Sequence, residues 1–185
     1  MRAILVDDSI IVRTGVARLL TADGHEVIAQ LTDARPAIAH AEDLRPDAAI
    51  LDIRMPPTFT DEGLRLATDL RARFPNLALL VLSQYVVPEY ALRLLESGER
   101  GSGYLLKDRV LDPTQLTSTL YRLVAGGTVI EPDLVSLLLG QRRERGRLDR
   151  LTEREREVLL LMAEGFSDRG IAERLYLSLN TISTL

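Results

Sequence analysis

Apolar and polar positions follow two different periods along the first 125 residues of the chain. Short, almost wholly apolar runs are typical of buried strands, and apolar residues spaced three and four apart are typical of amphipathic helices. The predicted strands are 3–6, 26–30, 48–51, 77–82 and 103–106, and the predicted helices are 10–20, 34–42, 62–73, 88–96 and 113–125. Because strands and helices alternate, we expect right-handed crossovers and a doubly wound α/β fold, with a five-stranded parallel sheet covered on both faces.

The pattern changes after residue 125. Gly126 and Gly127 end the last of these helices, one apolar helix is predicted over 134–139, and five arginines lie within 141–150. Apolar spacing resumes at Leu151, where Thr152 and Glu155 fit a helix capping box. Short helices with brief connections favour a small all-α helix-turn-helix, although a helical hairpin without a nucleic-acid role stays open. We therefore predict a domain over 1–125, a linker over 126–150 and an incomplete helical module over 151–185.

Composition and charge narrow the function classes. The chain has no cysteine and two histidines, which excludes disulfides, thiolate nucleophiles and cysteine-based metal sites. It has no apolar run of ~18 residues and no signal-peptide layout, so a cytoplasmic protein without membrane contact is expected. The net charge is −4, but residues 141–185 carry nine basic and eight acidic side chains, against 14 and 19 in the first 140. Attraction to nucleic-acid phosphates would thus concentrate in the C-terminal segment, whose arginines could equally form a solvated linker.

Polar side chains follow four of the predicted strands. Asp7 and Asp8 follow the first strand, Asp52 the third, Ser83 the fourth and Lys107 the fifth. The carboxyl ends of parallel strands share one edge of an open sheet, and ligands bind where the strand order reverses. Each residue alone could be a helix cap or a turn residue. Together, at matching strand ends, they predict one acidic crevice.

Three carboxylates in one crevice would raise each other's pKa, and a divalent cation would relieve that repulsion. Oxygen ligands with room for water suit Mg²⁺, or Mn²⁺ in its place. With Lys107 as a second positive charge, a carboxylate could attack a phosphoryl group and form an aspartyl phosphate. The residues therefore favour phosphoryl chemistry at this edge.

These positions also carry a family resemblance. The segments ILVDDS at 4–9, LDIRMP at 51–56, VLSQY at 81–85 and GYLLKD at 103–108 resemble the receiver domain of two-component response regulators. The resemblance implies the flavodoxin-like strand order 2-1-3-4-5. It also implies these roles: Asp52 as phospho-acceptor; Asp7, Asp8, Asp52 and the Arg54 backbone carbonyl as metal ligands; and Ser83, Tyr104 and Lys107 as switch and phosphate-sensing residues.

The same resemblance implies partners and a mechanism. A sensor histidine kinase would phosphorylate Asp52, the phosphoryl group would draw Ser83 inward, and Tyr104 would rotate into the space vacated. Dimerisation on phosphorylation and the absence of multiple turnover are further expectations. Two departures stand out: Asp108 follows Lys107 where a proline is common, so no cis-proline is expected there, and the loop 56–62 is longer than usual.

The C-terminal segment carries a second resemblance. LTEREREVLLLMAEGFSDRGIAERLYLSLNTIS, within 150–184, resembles the LuxR/NarL-type DNA-binding domain. In that family the third helix enters the major groove, which implies promoter DNA as a partner of the intact protein. The implied DNA contacts are Asn180, Thr181, Ser183 and Thr184. The match stops at Leu185, before the family's fourth helix, so we expect transcriptional regulation by the intact protein and at most weak DNA binding by this segment.

Three other functions stay open. A receiver could act through protein contacts alone, with a non-functional DNA module. A haloacid dehalogenase-type phosphotransferase would also use an aspartate nucleophile and Mg²⁺, but it places an acid two residues after the nucleophile, where Asp7 and Asp8 are followed by Ser9 and Ile10. A flavin-binding module is disfavoured because this crevice carries acids where phosphate is usually bound.

Overall fold

A parallel β-sheet forms the centre of the first part of the chain. The computed structural model of the protein describes residues 1–98, 100–135 and 174–175. The strands are β1 (Arg2–Val6), β2 (Glu26–Leu31), β3 (Ala48–Asp52), β4 (Ala78–Ser83), β5 (Ser102–Leu106) and β6 (Val129–Ile130). Every neighbouring pair is parallel, in the order β2-β1-β3-β4-β5-β6. The expected order 2-1-3-4-5 is thus confirmed, and a sixth strand is added at one edge.

Five helices connect and cover the strands. They are α1 (Ile10–Ala22), α2 (Ala37–Leu44), α3 (Glu62–Arg73), α4 (Pro88–Glu96) and α5 (Pro113–Val124). Asp112 caps α5 by accepting hydrogen bonds from the amides of the second and third residues of the helix, at 2.9 and 3.4 Å. Helix α2 begins at Ala37 rather than at residue 34, because the Asp33 carboxylate accepts the Arg35 amide in a turn and Pro36 takes the cap position.

The core explains why the central strands are so apolar. Strands β3 and β4 are buried at every residue, since helices cover both faces. One cluster packs side chains from the sheet against α1 and α5, including Leu5, Ile50, Leu80, Leu20 and Leu116. Full burial of each such side chain contributes roughly 1.5–3 kcal/mol. The result is a rigid scaffold whose strand ends hold the polar residues of the candidate site.

The sixth strand corrects the expected count of five. Gly126, with φ of 86°, ends the last helix, and the chain returns so that Val129 and Ile130 pair with β5. Next along the chain, the Glu131 amide donates to the Tyr104 carbonyl at 3.0 Å. A run of two apolar residues is too short to show a period, which is why this pairing was not predicted. The first compact unit extends over Met1–Ser136, into the segment 126–150 that we interpret as a linker.

The second compact unit is Leu137–Leu185, of which the structure describes Arg174 and Leu175 as helical. The arginine-rich stretch, the capping box and most of the predicted helix-turn-helix lie outside the described residues. Residues 132–135 are helical, and the rest of the helix predicted over 134–139 also lies outside. In the described ranges, each helix is too short or too polar to cross a membrane.

Candidate functional site

Three carboxylates meet at the carboxyl edge of the sheet. Asp52 is the last residue of β3, and Asp7 and Asp8 directly follow β1, its neighbour. Each offers an oxygen atom, and these three atoms lie within 4.8 Å of one another. Asp7 and Asp52 are buried, whereas Asp8 is exposed. The crevice expected from the strand ends is therefore present.

Lys107 lies among these acids. Its Nζ is 2.9 Å from Asp7 Oδ2 and 3.0 Å from Asp52 Oδ2. The Lys107 amide donates to the Ser83 carbonyl at 2.8 Å, which holds the main chain from which this side chain reaches the acids. Burial by itself lowers the pKa of Lys107, but the hydrogen bonds and charges of the two aspartates outweigh it and raise the pKa. The ammonium is therefore held in its charged form.

The environment of Asp52 opposes its ionisation. Burial is the largest cause and raises the pKa of Asp52 to about 6, with Lys107 lowering it and Asp7 and Asp8 raising it further. One lysine does not compensate three nearby carboxylates in a partly desolvated crevice. A further cation would stabilise the ionised form of Asp52.

The donor set fits a small divalent cation. The buried Asp7 Oδ2 faces the Lys107 ammonium at 2.9 Å. The other oxygen of Asp7 accepts the Ser9 amide at 2.8 Å, which fixes the carboxylate plane. An all-oxygen set with an open, solvent-facing side suits Mg²⁺ or Mn²⁺. Arg54 lines the same cleft, as expected of a residue whose backbone could add a ligand.

The cleft above the acids is roomy, at about 550 Å³. Its lining includes Asp8, Asp52, Lys107, Ser83, Phe59 and Tyr85. Phe59 and Tyr85 were not singled out from the sequence. An aromatic residue in a polar loop carries no periodic signal, and its place beside the acids depends on how the loop folds.

Ser83 and Tyr104 share one hydrogen-bond acceptor. The Ser83 hydroxyl donates to the Tyr85 carbonyl at 2.7 Å, and the Tyr104 hydroxyl donates to the same oxygen at 2.8 Å. The Tyr104 side chain is fully buried, and this burial raises the pKa of its phenol. The ring expected to rotate inward on phosphorylation thus already lies inside, and the two residues are coupled through the loop after β4.

The long loop 56–62 folds around a buried carboxylate. Glu62 accepts the amides of Thr58 and Thr60 at 3.1 and 2.9 Å, and it also accepts the Thr58 hydroxyl. Burial raises the pKa of Glu62, but these hydrogen bonds outweigh it and lower the pKa below its usual value. The loop contains the cis peptide bond Pro56–Pro57, and none follows Lys107. Glu62 therefore organises the loop beside the acids.

Gly63 allows α3 to approach the acceptor strand. Its amide donates to the Ile53 carbonyl at 2.9 Å, and an added Cβ would lie 1.8 Å from the Asp52 carbonyl oxygen. Any larger residue would push the helix away from β3. The pattern of a single chain could not distinguish this glycine from a helix-weakening one.

The expected DNA contacts, Asn180, Thr181, Ser183 and Thr184, lie outside the described residues. They stay predictions from the sequence.

Two family descriptions match the chain. The response regulator receiver domain matches residues 3–120. The luxR family of bacterial regulatory proteins matches residues 149–184. Together they cover the two parts that the sequence pattern separates.

Relatives and solved structures agree with this assignment. The DNA-binding transcriptional activator DevR/DosR of Mycobacterium tuberculosis is 32% identical over 187 residues, covering 98% of this chain and 83% of that protein. The oxygen regulatory protein NreC of Staphylococcus epidermidis is 30% identical over 193 residues, covering 98% of this chain and 86% of that protein. A structure of the Salmonella typhimurium RcsB response regulator matches with a TM-score of 0.69 and 32% identity, covering all of this chain and 87% of that one. A structure described as two RcsB dimers bound to two parallel DNAs matches with a TM-score of 0.64 and 30% identity, with the same coverage.

Proposed function

The chain belongs to the response regulators that join a receiver domain to a LuxR-type DNA-binding module, and from this premise we propose that phosphorylation of Asp52 controls transcription through that module. The observation that carries the proposal is the position of Asp52, buried beside two further acids and 3.0 Å from a lysine ammonium. Matched relatives are named as a transcriptional activator and a transcriptional regulatory protein. We propose a sensor histidine kinase as the phosphodonor and promoter DNA as the target.

Asp52 acts as the nucleophile. One carboxylate oxygen forms the new bond to phosphorus while the donor's bond to phosphorus breaks, and the leaving group keeps the electron pair. Lys107 then faces a phosphoryl oxygen and offsets its charge. When bound by Asp7, Asp8, Asp52 and the Arg54 carbonyl, Mg²⁺ supplies positive charge to the phosphoryl oxygens. Asp52 accepts one phosphoryl group and the protein does not turn over a substrate.

The switch acts through the carbonyl that Ser83 and Tyr104 share. A phosphoryl oxygen at Asp52 is a stronger, charged acceptor for the Ser83 hydroxyl than a neutral carbonyl. When the Ser83 hydroxyl donates to the phosphoryl oxygen instead, the Tyr85 carbonyl keeps only the hydrogen bond from Tyr104. The loop between β4 and α4 can then pack against the buried Tyr104 ring. Phosphorylation can shift this equilibrium only by its different affinity for the two arrangements, which the new hydrogen bond provides.

The output lies in the C-terminal module. The chain that follows β6 connects the receiver to this module, and the proposed base or phosphate contacts of the module are Asn180, Thr181, Ser183 and Thr184. We further propose that phosphorylation favours a homodimer, since paired half-sites suit a two-fold symmetric protein.

A phosphodonor reaction tests the acceptor. The protein is incubated with phosphoramidate and Mg²⁺, and the intact mass is measured for the wild type, Asp52→Asn and Asp108→Asn. Asp108 is an exposed acid of the same cleft, so its variant is a matched control. We expect one phosphoryl group on the wild type and on Asp108→Asn, and none on Asp52→Asn. Labelling that persists in Asp52→Asn would place the acceptor elsewhere.

A further inference from the structure

Two aromatic side chains border the cleft that contains the acceptor. Phe59 follows β3 in the long loop, and Tyr85 follows β4; we call this pair the aromatic rim. Their exposed fractions are 52% and 55%, and both line the same cleft as Asp52 and Lys107. Scattered apolar residues are common on protein surfaces, but an aromatic pair at the mouth of a reaction cleft is positioned to contact whatever enters.

The backbone of Phe59 is held in a conformation that residues with a Cβ rarely adopt. Its φ is 56°, in the left-handed region. Hydrogen bonds on both sides maintain it: the Phe59 amide donates to the Met55 carbonyl at 3.0 Å, and Glu62 accepts the amides of Thr58 and Thr60. A glycine would satisfy this turn without strain. A strained residue fixed by its surroundings next to a reactive group points to a role for the side chain itself.

Tyr85 is also fixed in place. The Arg54 guanidinium carbon lies 5.7 Å from the centre of the Tyr85 ring, within the range of a cation–π contact. The Tyr85 carbonyl accepts the two hydroxyls described above, so its backbone is held as well. The rim is therefore a pair of positioned aromatic surfaces on two different loops.

We propose that the aromatic rim, and Phe59 above all, binds the imidazole ring of a phosphorylated histidine side chain of the partner protein while its phosphoryl group passes to Asp52. This inference rests on the proposed function, and it assigns the positioning of the donor's ring to Phe59 and Tyr85. The cleft of about 550 Å³ has room for a ring as well as a phosphoryl group. A protonated phosphoimidazole ring is flat and cationic, and aromatic faces attract such a ring more than they attract a small acyl phosphate.

The imidazole ring is the leaving group of the transfer step. The Asp52 oxygen forms the O–P bond as the P–N bond breaks, and the ring nitrogen keeps the bonding electrons. Because the other ring nitrogen already carries a proton, the ring leaves as neutral imidazole and no further proton is needed. Phe59 contributes by binding the ring before and during departure, so its loss slows transfer from ring-bearing donors specifically.

Two small phosphodonors separate the effect of the imidazole ring from that of the P–N bond. Phosphoimidazole and phosphoramidate both carry a P–N bond, but only the first has a ring. Labelling rates of the whole chain with Mg²⁺ are measured for each donor, and their ratio is compared among the wild type, Phe59→Leu, Phe59→Trp and Tyr121→Leu. Tyr121 is an equally exposed aromatic residue on α5, at 56%, and serves as the matched control.

We expect Phe59→Leu to lower the ratio of phosphoimidazole to phosphoramidate rates by about threefold to tenfold, the range of one aromatic contact. Phe59→Trp keeps an aromatic face and is expected to retain the ratio within about twofold, and Tyr121→Leu to leave it unchanged. An unchanged ratio in Phe59→Leu, or an equal fall with both donors, would overturn the inference while leaving Asp52 as acceptor. A wild-type chain that neither donor labels would instead contradict the proposed function.

Discussion

The substitution Asp52→Asn should raise the free energy of unfolding of the protein, by an amount that depends on pH. Burial raises the pKa of Asp52 from 3.8 to about 6, so the folded state favours the protonated acid. A group with a raised pKa contributes stability at pH values below its unfolded pKa, and that contribution is lost as the pH rises through the folded pKa. At 1.36 kcal/mol per pH unit, the ionised carboxylate costs the folded wild type roughly 3 kcal/mol above pH 7.

The asparagine side chain carries no such cost. We therefore expect the free energy of unfolding of Asp52→Asn to exceed that of the wild type by ~1–3 kcal/mol at pH 8. The difference should shrink as the pH falls through 6 and be below ~1 kcal/mol at pH 4, just above the unfolded pKa. Lys107 loses one of its two acidic partners in the variant, but groups away from the cleft titrate alike in both proteins, so the pH dependence of the difference reports the Asp52 carboxyl and its immediate partners.

Urea unfolding followed by far-UV circular dichroism measures this difference between pH 4 and pH 8. A chelator keeps divalent cations from stabilising the ionised carboxylate. Asp108→Asn, which removes an exposed acid of the same cleft, is the control and should show no comparable gain. The free energy of unfolding must fall with urea concentration at the same slope in both proteins for their extrapolated stabilities to be comparable. Equal stabilities at pH 8, or a gain that does not change with pH, would refute the reasoning.

Three further outcomes are expected. Mg²⁺ should raise the midpoint of thermal unfolding of the wild type by mass action, and Asp8→Asn should abolish most of that rise; an equal rise in the variant would exclude Asp8 as a ligand. Gly63→Ala should lower the free energy of unfolding by ~1–3 kcal/mol or more, because its Cβ would overlap a backbone oxygen of the acceptor strand. Gly15→Ala, in a helix with nothing within 4 Å of the added Cβ, should instead gain up to ~1 kcal/mol, and equal losses in the two would argue against the close approach. Tyr104→Phe removes one of two hydrogen bonds to the Tyr85 carbonyl and should cost ~0.5–1.5 kcal/mol in the same urea assay; an unchanged stability would show that this bond has no net value.

The arrangement of the acids could be anticipated from the sequence because it depends on a simple rule. Residues directly after parallel strands meet at one edge, so Asp7, Asp8 and Asp52 were expected together although 44 positions separate Asp8 from Asp52. Lys107 was expected beside them for the same reason, and its two short ion pairs agree. Predicting the strand order also required the receiver-domain motifs, since periodicity alone does not show which strands are neighbours.

The remaining features depend on three-dimensional packing that a linear pattern does not contain. Strand β6 has two residues and forms only because it pairs with β5, so the hydrophobic pattern of the sequence does not predict it. The importance of Gly63 comes from a backbone oxygen that approaches from another element, and Glu62 acquires its role only when the loop closes around it. The orientation of Phe59 likewise follows from hydrogen bonds of its neighbours rather than from its own preference.

Mapping the phosphoryl group by tandem mass spectrometry, after reaction of the whole chain with phosphoramidate and Mg²⁺, tests the central claim most directly. The account predicts one modified residue, Asp52, and no modification when Mg²⁺ is withheld with a chelator. A phosphoryl group found on Asp7, on Asp8 or outside the cleft, or labelling that proceeds equally well without the cation, would contradict it.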